Sequence, residues 1–233
     1  MTAGWFSRLF SSQMAVGSTE AETIERLQSL VFFTGGGELP SRDEMLATIE
    51  EAERRFAGQI SAELADALAG AWYCFESWYA RGPDRKQYLE RAADYYRRSG
   101  NKAMLGKMLI DEAQIRDLDE GLPLLEGIYN STKTYEPILC SLVEGFYKHG
   151  QYARAAAVAL ELHERATNDP EWSGSAVPPA PMCLAAKAFR AEANRLKKAG
   201  QYPEALEVMR ELIATGESSE RDRKRFERLK ADA

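Results

Sequence analysis

The sequence predicts an all-α chain of antiparallel helix pairs stacked in series, with no sheet. Three observations carry this. The phrase Phe146-Tyr-Lys-His-Gly-Gln-Tyr-Ala-Arg-Ala-Ala156 returns fifty positions later as Leu196-Lys-Lys-Ala-Gly-Gln-Tyr-Pro-Glu-Ala-Leu206, each time ending one helical run and starting an Ala-rich one. Apolar residues keep the helical period along most of the chain, and no credible strand interrupts them. The first helices of successive pairs begin near Ser61, Asn101, Thr134 and Met182, at spacings of about 33 to 40 residues once a Pro-rich insertion is allowed for. One hairpin cannot bury its apolar face alone, whereas stacked hairpins can.

Residues 1–18 read as an N-terminal tail in which Trp5, Phe6, Leu9 and Phe10 share one side of a short helix. Arg8 is its one cation, too few for a membrane-surface segment, and no continuous apolar run makes it a signal peptide. The helical-repeat domain is expected over residues 19–216. Thr19 and Glu22 match a capping box ahead of Ile24, Leu27, Leu30 and Val31. Gly35-Gly36-Gly37 stops that helix; without a following Lys-Ser/Thr or a preceding strand, it is not read as a phosphate loop. Ser41 and Glu44 repeat the capping pattern before Met45, Ile49, Ala52 and Phe56.

The run from Ser61 to Ala80 is the most apolar. Leu64, Leu68, Trp72, Phe75 and Tyr79 form its stripe, widened by Tyr73, Cys74 and Trp78, as in a helix packed between neighbours. After Gly82-Pro83-Asp84 a partner helix carries Tyr88, Leu89, Ala92, Tyr95 and Tyr96. Asn101 caps the next, which carries Met104, Leu105, Met108, Leu109, Ala113 and Ile115, and a shorter one runs through Leu124, Leu125, Ile128 and Tyr129. Thr134 to Pro137 opens a helix with Leu139, Leu142, Val143 and Phe146, and Tyr152 to Ala166 is its partner. Residues 168–181 hold four prolines and form an insertion. Met182–Ala199 and Gln201–Thr215 make the last pair, and residues 217–233 form a charged capping helix.

Composition narrows the function. In 233 residues, 45% are hydrophobic and 28% charged, the mean hydropathy is −0.43, and the net charge is −6. These values suit a soluble globular protein and not a general nucleic-acid binder. Cys74, Cys140 and Cys183 are widely spaced in apolar helical context, which suggests reduced thiols in a cytoplasmic protein rather than a disulfide framework or zinc site. No run approaches the length of a membrane span, so no integral membrane association is expected. Neither His149 nor His163 has a neighbouring nucleophile or acid pattern, and no Gly-x-Ser-x-Gly or His-Glu-x-x-His occurs. The chain is therefore read as non-catalytic, with no cofactor and no metal.

The pair from Met182 to Thr215 resembles a tetratricopeptide repeat. Phe189 stands in the large apolar slot of the first helix, Ala193 in the small slot of the helix crossing, and Leu196 one turn on. Gly200 makes the turn, Tyr202 packs back across it, and Ala205 and Met209 fill the small and large slots of the second helix. The pair over residues 134–167 is similar through Leu139, Phe146, Gly150, Tyr152 and Ala155, but departs where Val143 replaces the first small residue. The resemblance is clear for about a third of the chain, and implies a TPR-like α-solenoid whose groove, lined by the first helix of each pair, binds a peptide or helix of a partner protein.

Helical geometry adds a candidate site. Lys187, Arg190, Asn194 and Lys198 share the face of their helix opposite Phe189, Ala193 and Leu196, where three cations and an amide can hold a carboxylate or acidic peptide. Arg190 and Asn194 match in type and spacing the residues some tetratricopeptide proteins use on a peptide carboxylate. Tyr147 and Lys148 stand on the equivalent face of the preceding pair, with Cys140, Ser141 and Glu144. The plainer reading of both faces is a solvated polar surface. Three functions follow: a peptide-binding adaptor, a chaperone or assembly factor shielding an apolar client segment, and a small-molecule sensor or enzyme with a pocket among Trp72, Trp78 and Tyr96 in the 61–96 hairpin. Charge alternation along residues 81–126 leaves room for self-association as a homo-oligomer.

Overall fold

Short polar side chains start many of these helices. Thr19 and Glu22 form the reciprocal box expected of them, Thr19 N–H donating to Glu22 at 2.6 Å and Glu22 N–H to Thr19 Oγ1 at 3.3 Å. Ser41, Ser61 and Asp117 each accept from the amide three residues on, at 3.0 to 3.2 Å. Glycine ends three of them in one way. Gly100, Gly150 and Gly200 have φ of 76°, 78° and 76°, and the amide after each reaches back five residues, to Tyr96, Phe146 and Leu196 at 2.9 to 3.2 Å. That is the Schellman closure, which satisfies carbonyls left open at a helix end. The flanking Gln151 and Gln201 match as well, at φ/ψ of −87°/59° and −88°/70°. The repeated Gly-Gln-Tyr phrase is thus a repeated turn.

The computed structural model describes residues 19–31, 39–169 and 180–232. The expected N-terminal tail, the Gly35–Gly37 helix stop and residues 170–179 of the Pro-rich insertion lie outside them. Among the described residues are eleven α-helices and no strand: α1 Glu20–Val31, α2 Arg42–Arg55, α3 Ala62–Tyr79, α4 Asp84–Ser99, α5 Lys102–Asp111, α6 Leu118–Ser131, α7 Cys140–Lys148, α8 Tyr152–Asn168, α9 Ala180–Lys198, α10 Tyr202–Ala214 and α11 Glu220–Asp232. No described helix is long and apolar enough to cross a membrane.

Two boundaries differ from the sequence expectation. Pro137–Leu139 is a 3-10 turn, and α7 begins only at Cys140; the extended Glu136 before the proline delays helix entry. Helix α5 stops at Asp111, so Ala113 and Ile115 fall beyond its buried stripe, and Ala113 is exposed. Its last carbonyls are met from outside the helix: Asp117 N–H donates to Leu109 O at 2.9 Å, and Arg116 Nε and Lys148 Nζ donate to Ile110 O at 3.2 and 2.8 Å. Another turn is not needed to satisfy them. Gly106 and Ile110 take the buried places instead.

The chain divides into two compact units, one through Asn101 and one from Lys102. In the first, α3 packs on α4 and is also touched by α1 and α2. Leu64, Leu68, Trp72 and Phe75 are wholly buried. Trp72 is closed in on several sides: Tyr88 stacks on it at 5.4 Å, the Arg91 guanidinium lies 4.7 Å from its ring, and its Nε1 donates to Glu53 at 2.7 Å. Buried Glu76 is matched by Arg85.

In the second unit the pairs α5/α6, α7/α8 and α9/α10 follow one another. First helices also touch, α5 on α7 and α7 on α9, while α8 packs against α9 and α11 closes on α10. One apolar core runs from Ile110 through Phe146, Leu162 and Phe189 to Leu229. Close crossings depend on glycine. A Cβ on Gly106 would stand 2.9 Å from Leu125 Cγ and 3.2 Å from the Gly121 carbonyl, and one on Gly145 would stand 2.7 Å from Leu122 Cδ2. Val143, which departs from the tetratricopeptide pattern, is simply core; the tight contact of α7 falls at Gly145, two residues on.

Candidate functional site

Helix α9 carries the candidate site because its two faces differ so sharply. Phe189, Ala193 and Leu196 are buried, which turns Asn194 and Lys198 to solvent. The structure gathers five of the six sequence-derived site residues around one cleft of about 490 Å³: Tyr147, Lys187, Arg190, Asn194 and Lys198, together with Tyr152, Ala191 and Arg195. Its aromatic wall is the pair Tyr147 and Tyr152, with ring centres 5.2 Å apart at 60°.

The cations are not equally available. Lys187 donates to both carboxylate oxygens of Glu144, at 2.8 and 2.9 Å, and sits 4.3 Å from the centre of the Tyr147 ring. It fixes α9 to α7 and orients that ring. Arg190 donates Nε to Asp222 Oδ2 at 3.0 Å and Nη2 to the Glu217 carbonyl at 2.8 Å. Arg195 forks onto Glu192 at 2.6 and 2.8 Å, a pairing that holds its pKa above the usual guanidinium value. Asn194 and Lys198 have no hydrogen-bond or ionic partner among the described residues. Lys148 lies elsewhere. Its Nζ donates to Ile110 O and stands 3.8 Å from Asp111 Oδ1, closing the C-terminus of α5 rather than lining the cleft.

The charged capping helix expected over residues 217–233 is present as α11, but its mixed-charge string conceals how deeply it is built into the fold. Leu229 is wholly buried and Phe226 packs against the core. Asp222 is also buried, and joins three roles. It accepts from Ser219 N–H and Oγ at 2.9 and 2.7 Å, its own N–H donates back to Ser219 Oγ at 3.2 Å, and it accepts from Arg190. Burial works to raise its pKa, but the hydrogen bonds from Ser219 and the Arg190 guanidinium outweigh this and hold the carboxyl below its ordinary value. The signal was present in the sequence, because Ser219-x-x-Asp222 is a capping pattern immediately before a helix. Arg190 and Asn194 border a second cleft here, between α9 and α11.

The proposed ligand pocket of the first unit is arranged differently. Trp72 and Tyr96 are core residues, whereas Trp78 is partly exposed with its ring edge-on to Tyr79 at 6.3 Å. Burial lifts the Tyr96 hydroxyl well above its usual pKa; burial and Glu53 push Tyr95 up to about 12. These are phenols that stay protonated donors, suited to packing. Among the described residues no three His, Cys, Asp or Glu side chains gather where a metal ion could be held. The chain matches no protein-family model, no curated protein and no solved structure.

Proposed function

We propose that this chain is a TPR-like helical-repeat adaptor, non-catalytic, that holds a segment of a partner protein against the exposed face of α9. One observation carries the reading. The cleft on α9 combines a contacting pair of tyrosines, their rings tilted at 60°, with Asn194 and Lys198, whose side chains are free of partners among the described residues. Aromatic faces cover the apolar part of a peptide at small entropic cost, while an amide and an ammonium receive its carbonyls and carboxylates. The turn geometry shared by Gly150-Gln151 and Gly200-Gln201 supports the repeat assignment.

The test uses Lys198→Glu and Tyr147→Ala in the full chain, since both residues border this cleft and not the one between α9 and α11. Arg190 is unsuitable, because its removal would also free Asp222 and loosen α11. Partners captured from the native host by the wild-type chain should be lost from the Lys198→Glu variant with its melting temperature unchanged. Equal capture by both variants and wild type would defeat the reading.

A further inference from the structure

The cleft between α9 and α11 has a volume of about 960 Å³ and is bordered by six cationic side chains and two acidic ones. Both acids are already engaged. Asp222 caps α11 and holds Arg190, and Glu220 pairs with Lys224 at 2.6 Å. That leaves Lys197, Arg221, Arg225 and Arg228 without a salt bridge among the described residues. Arg221, Arg225 and Arg228 stand at i, i+4 and i+7 on one stripe of α11, about 10 Å long, and Lys197 comes from α9.

The second observation is independent of this charge count. The Nη2 nitrogen of Arg225 is shut off from solvent and has no hydrogen-bond partner. Burial holds Arg225 below the usual guanidinium pKa, opposed by Asp222 and reinforced by Arg221. A desolvated guanidinium N–H without an acceptor is a costly arrangement. An oxyanion that draws the Arg225 guanidinium toward the cleft removes that cost, because the planar fork of arginine matches phosphoryl and carboxylate oxygens two at a time.

We propose that this cleft recognises clustered negative charge on a protein segment, a phosphorylated side chain or adjacent carboxylates, through Arg225 with Arg221, Arg228 and Lys197. The peptide-binding reading supplies only the occupant. Arg190 and Asn194 border both clefts, so a chain lying on the tyrosine pair can continue into the arginines. A nucleic-acid backbone is disfavoured by a net charge of −6.

Fluorescence anisotropy on the full chain reads this directly, with labelled oligoglutamate, a phosphoserine-containing peptide of equal length and a neutral peptide as probes. Wild type should bind one or both anionic probes at least about tenfold more tightly than the neutral one. Binding should weaken as salt is raised. The Arg221→Gln, Arg225→Gln, Arg228→Gln triple variant should lose about tenfold or more. Should α11 loosen in that variant, Lys197→Gln on α9 must still weaken binding, whereas Lys230→Gln, on α11 but outside the cleft, must not. Competition by inorganic phosphate as strong as by the phosphopeptide would assign a free-anion site and overturn the peptide proposal. Tighter binding of a single-stranded oligonucleotide, or no preference for the anionic probes, would overturn it as well. Capture of host partners by Lys198→Glu and Tyr147→Ala reads the first cleft, and anionic-probe binding by the arginine variants reads the second, so the two readings can fail separately.

Discussion

Gly106 and Gly127 show how much a single hydrogen atom can matter in these helices. Alanine is favoured over glycine in a helix interior by about 1 kcal/mol wherever its methyl finds room. At Gly127 in α6 nothing lies within 4 Å of the added Cβ, so Gly127→Ala should stabilise the protein by about 0.5–1 kcal/mol. At Gly106 in α5 the methyl would meet Leu125 Cγ at 2.9 Å and the Gly121 carbonyl at 3.2 Å, neither of them the free end of a flexible chain. Overpacking of this kind costs about 1–3 kcal/mol, enough to outweigh the propensity gain. Urea denaturation followed by circular dichroism should therefore move the midpoint up for Gly127→Ala and down for Gly106→Ala. Midpoints that rise together would mean that α5 and α6 do not cross as closely as described.

At the scale of elements, α11 is tied to α9 through Asp222, and that tie titrates. The carboxyl is held below its ordinary value against the opposing effect of burial, by Ser219 and Arg190, so the folded state binds fewer protons than the unfolded chain. Its contribution is complete above the unfolded carboxyl value of about 4 and is lost as pH falls through the folded one. Stability measured downward from neutral pH should fall in that acid range, and Asp222→Asn should be less stable at neutral pH and show a shallower acid loss. An unchanged acid slope in the variant would remove Asp222 from the account. Much of this element level was legible beforehand. Periodicity located the pairs, and Gly150 and Gly200 marked identical turns, because helix faces and αL closures depend on local chemistry. What escaped depended on distant partners. Nothing local to Lys148 shows that Ile110 O and Asp111 lie beside it, and nothing local to Lys187 shows that it faces Glu144. Helix α11 was underestimated for the same reason, since Leu229 and Phe226 are only two apolar positions in a charged string, and their burial is decided by the preceding repeats.

Across the whole molecule, the two units raise the question of which residues fold together. The core running from Ile110 to Leu229 is closed within the second unit, each of its members lying beyond Lys102. Its helices satisfy their ends from within as well: Lys148 and Arg116 meet the α5 carbonyls, Asp117 caps α6, and Ser219 and Asp222 cap α11. A fragment of residues 102–233 should consequently fold alone, with a helical circular-dichroism spectrum and one cooperative thermal transition. Leu229 is wholly buried, so α11 should belong to that same transition. Leu229→Ala in the fragment should cost about 2–5 kcal/mol, the range for a buried leucine leaving a cavity, and ending the fragment at residue 216 should lower its melting temperature further. A fragment that melts without cooperativity would show that residues 1–101 are needed to complete this core. A folded fragment indifferent to Leu229→Ala would instead detach α11 from the repeats, and with it the arginine stripe proposed to bind acidic segments.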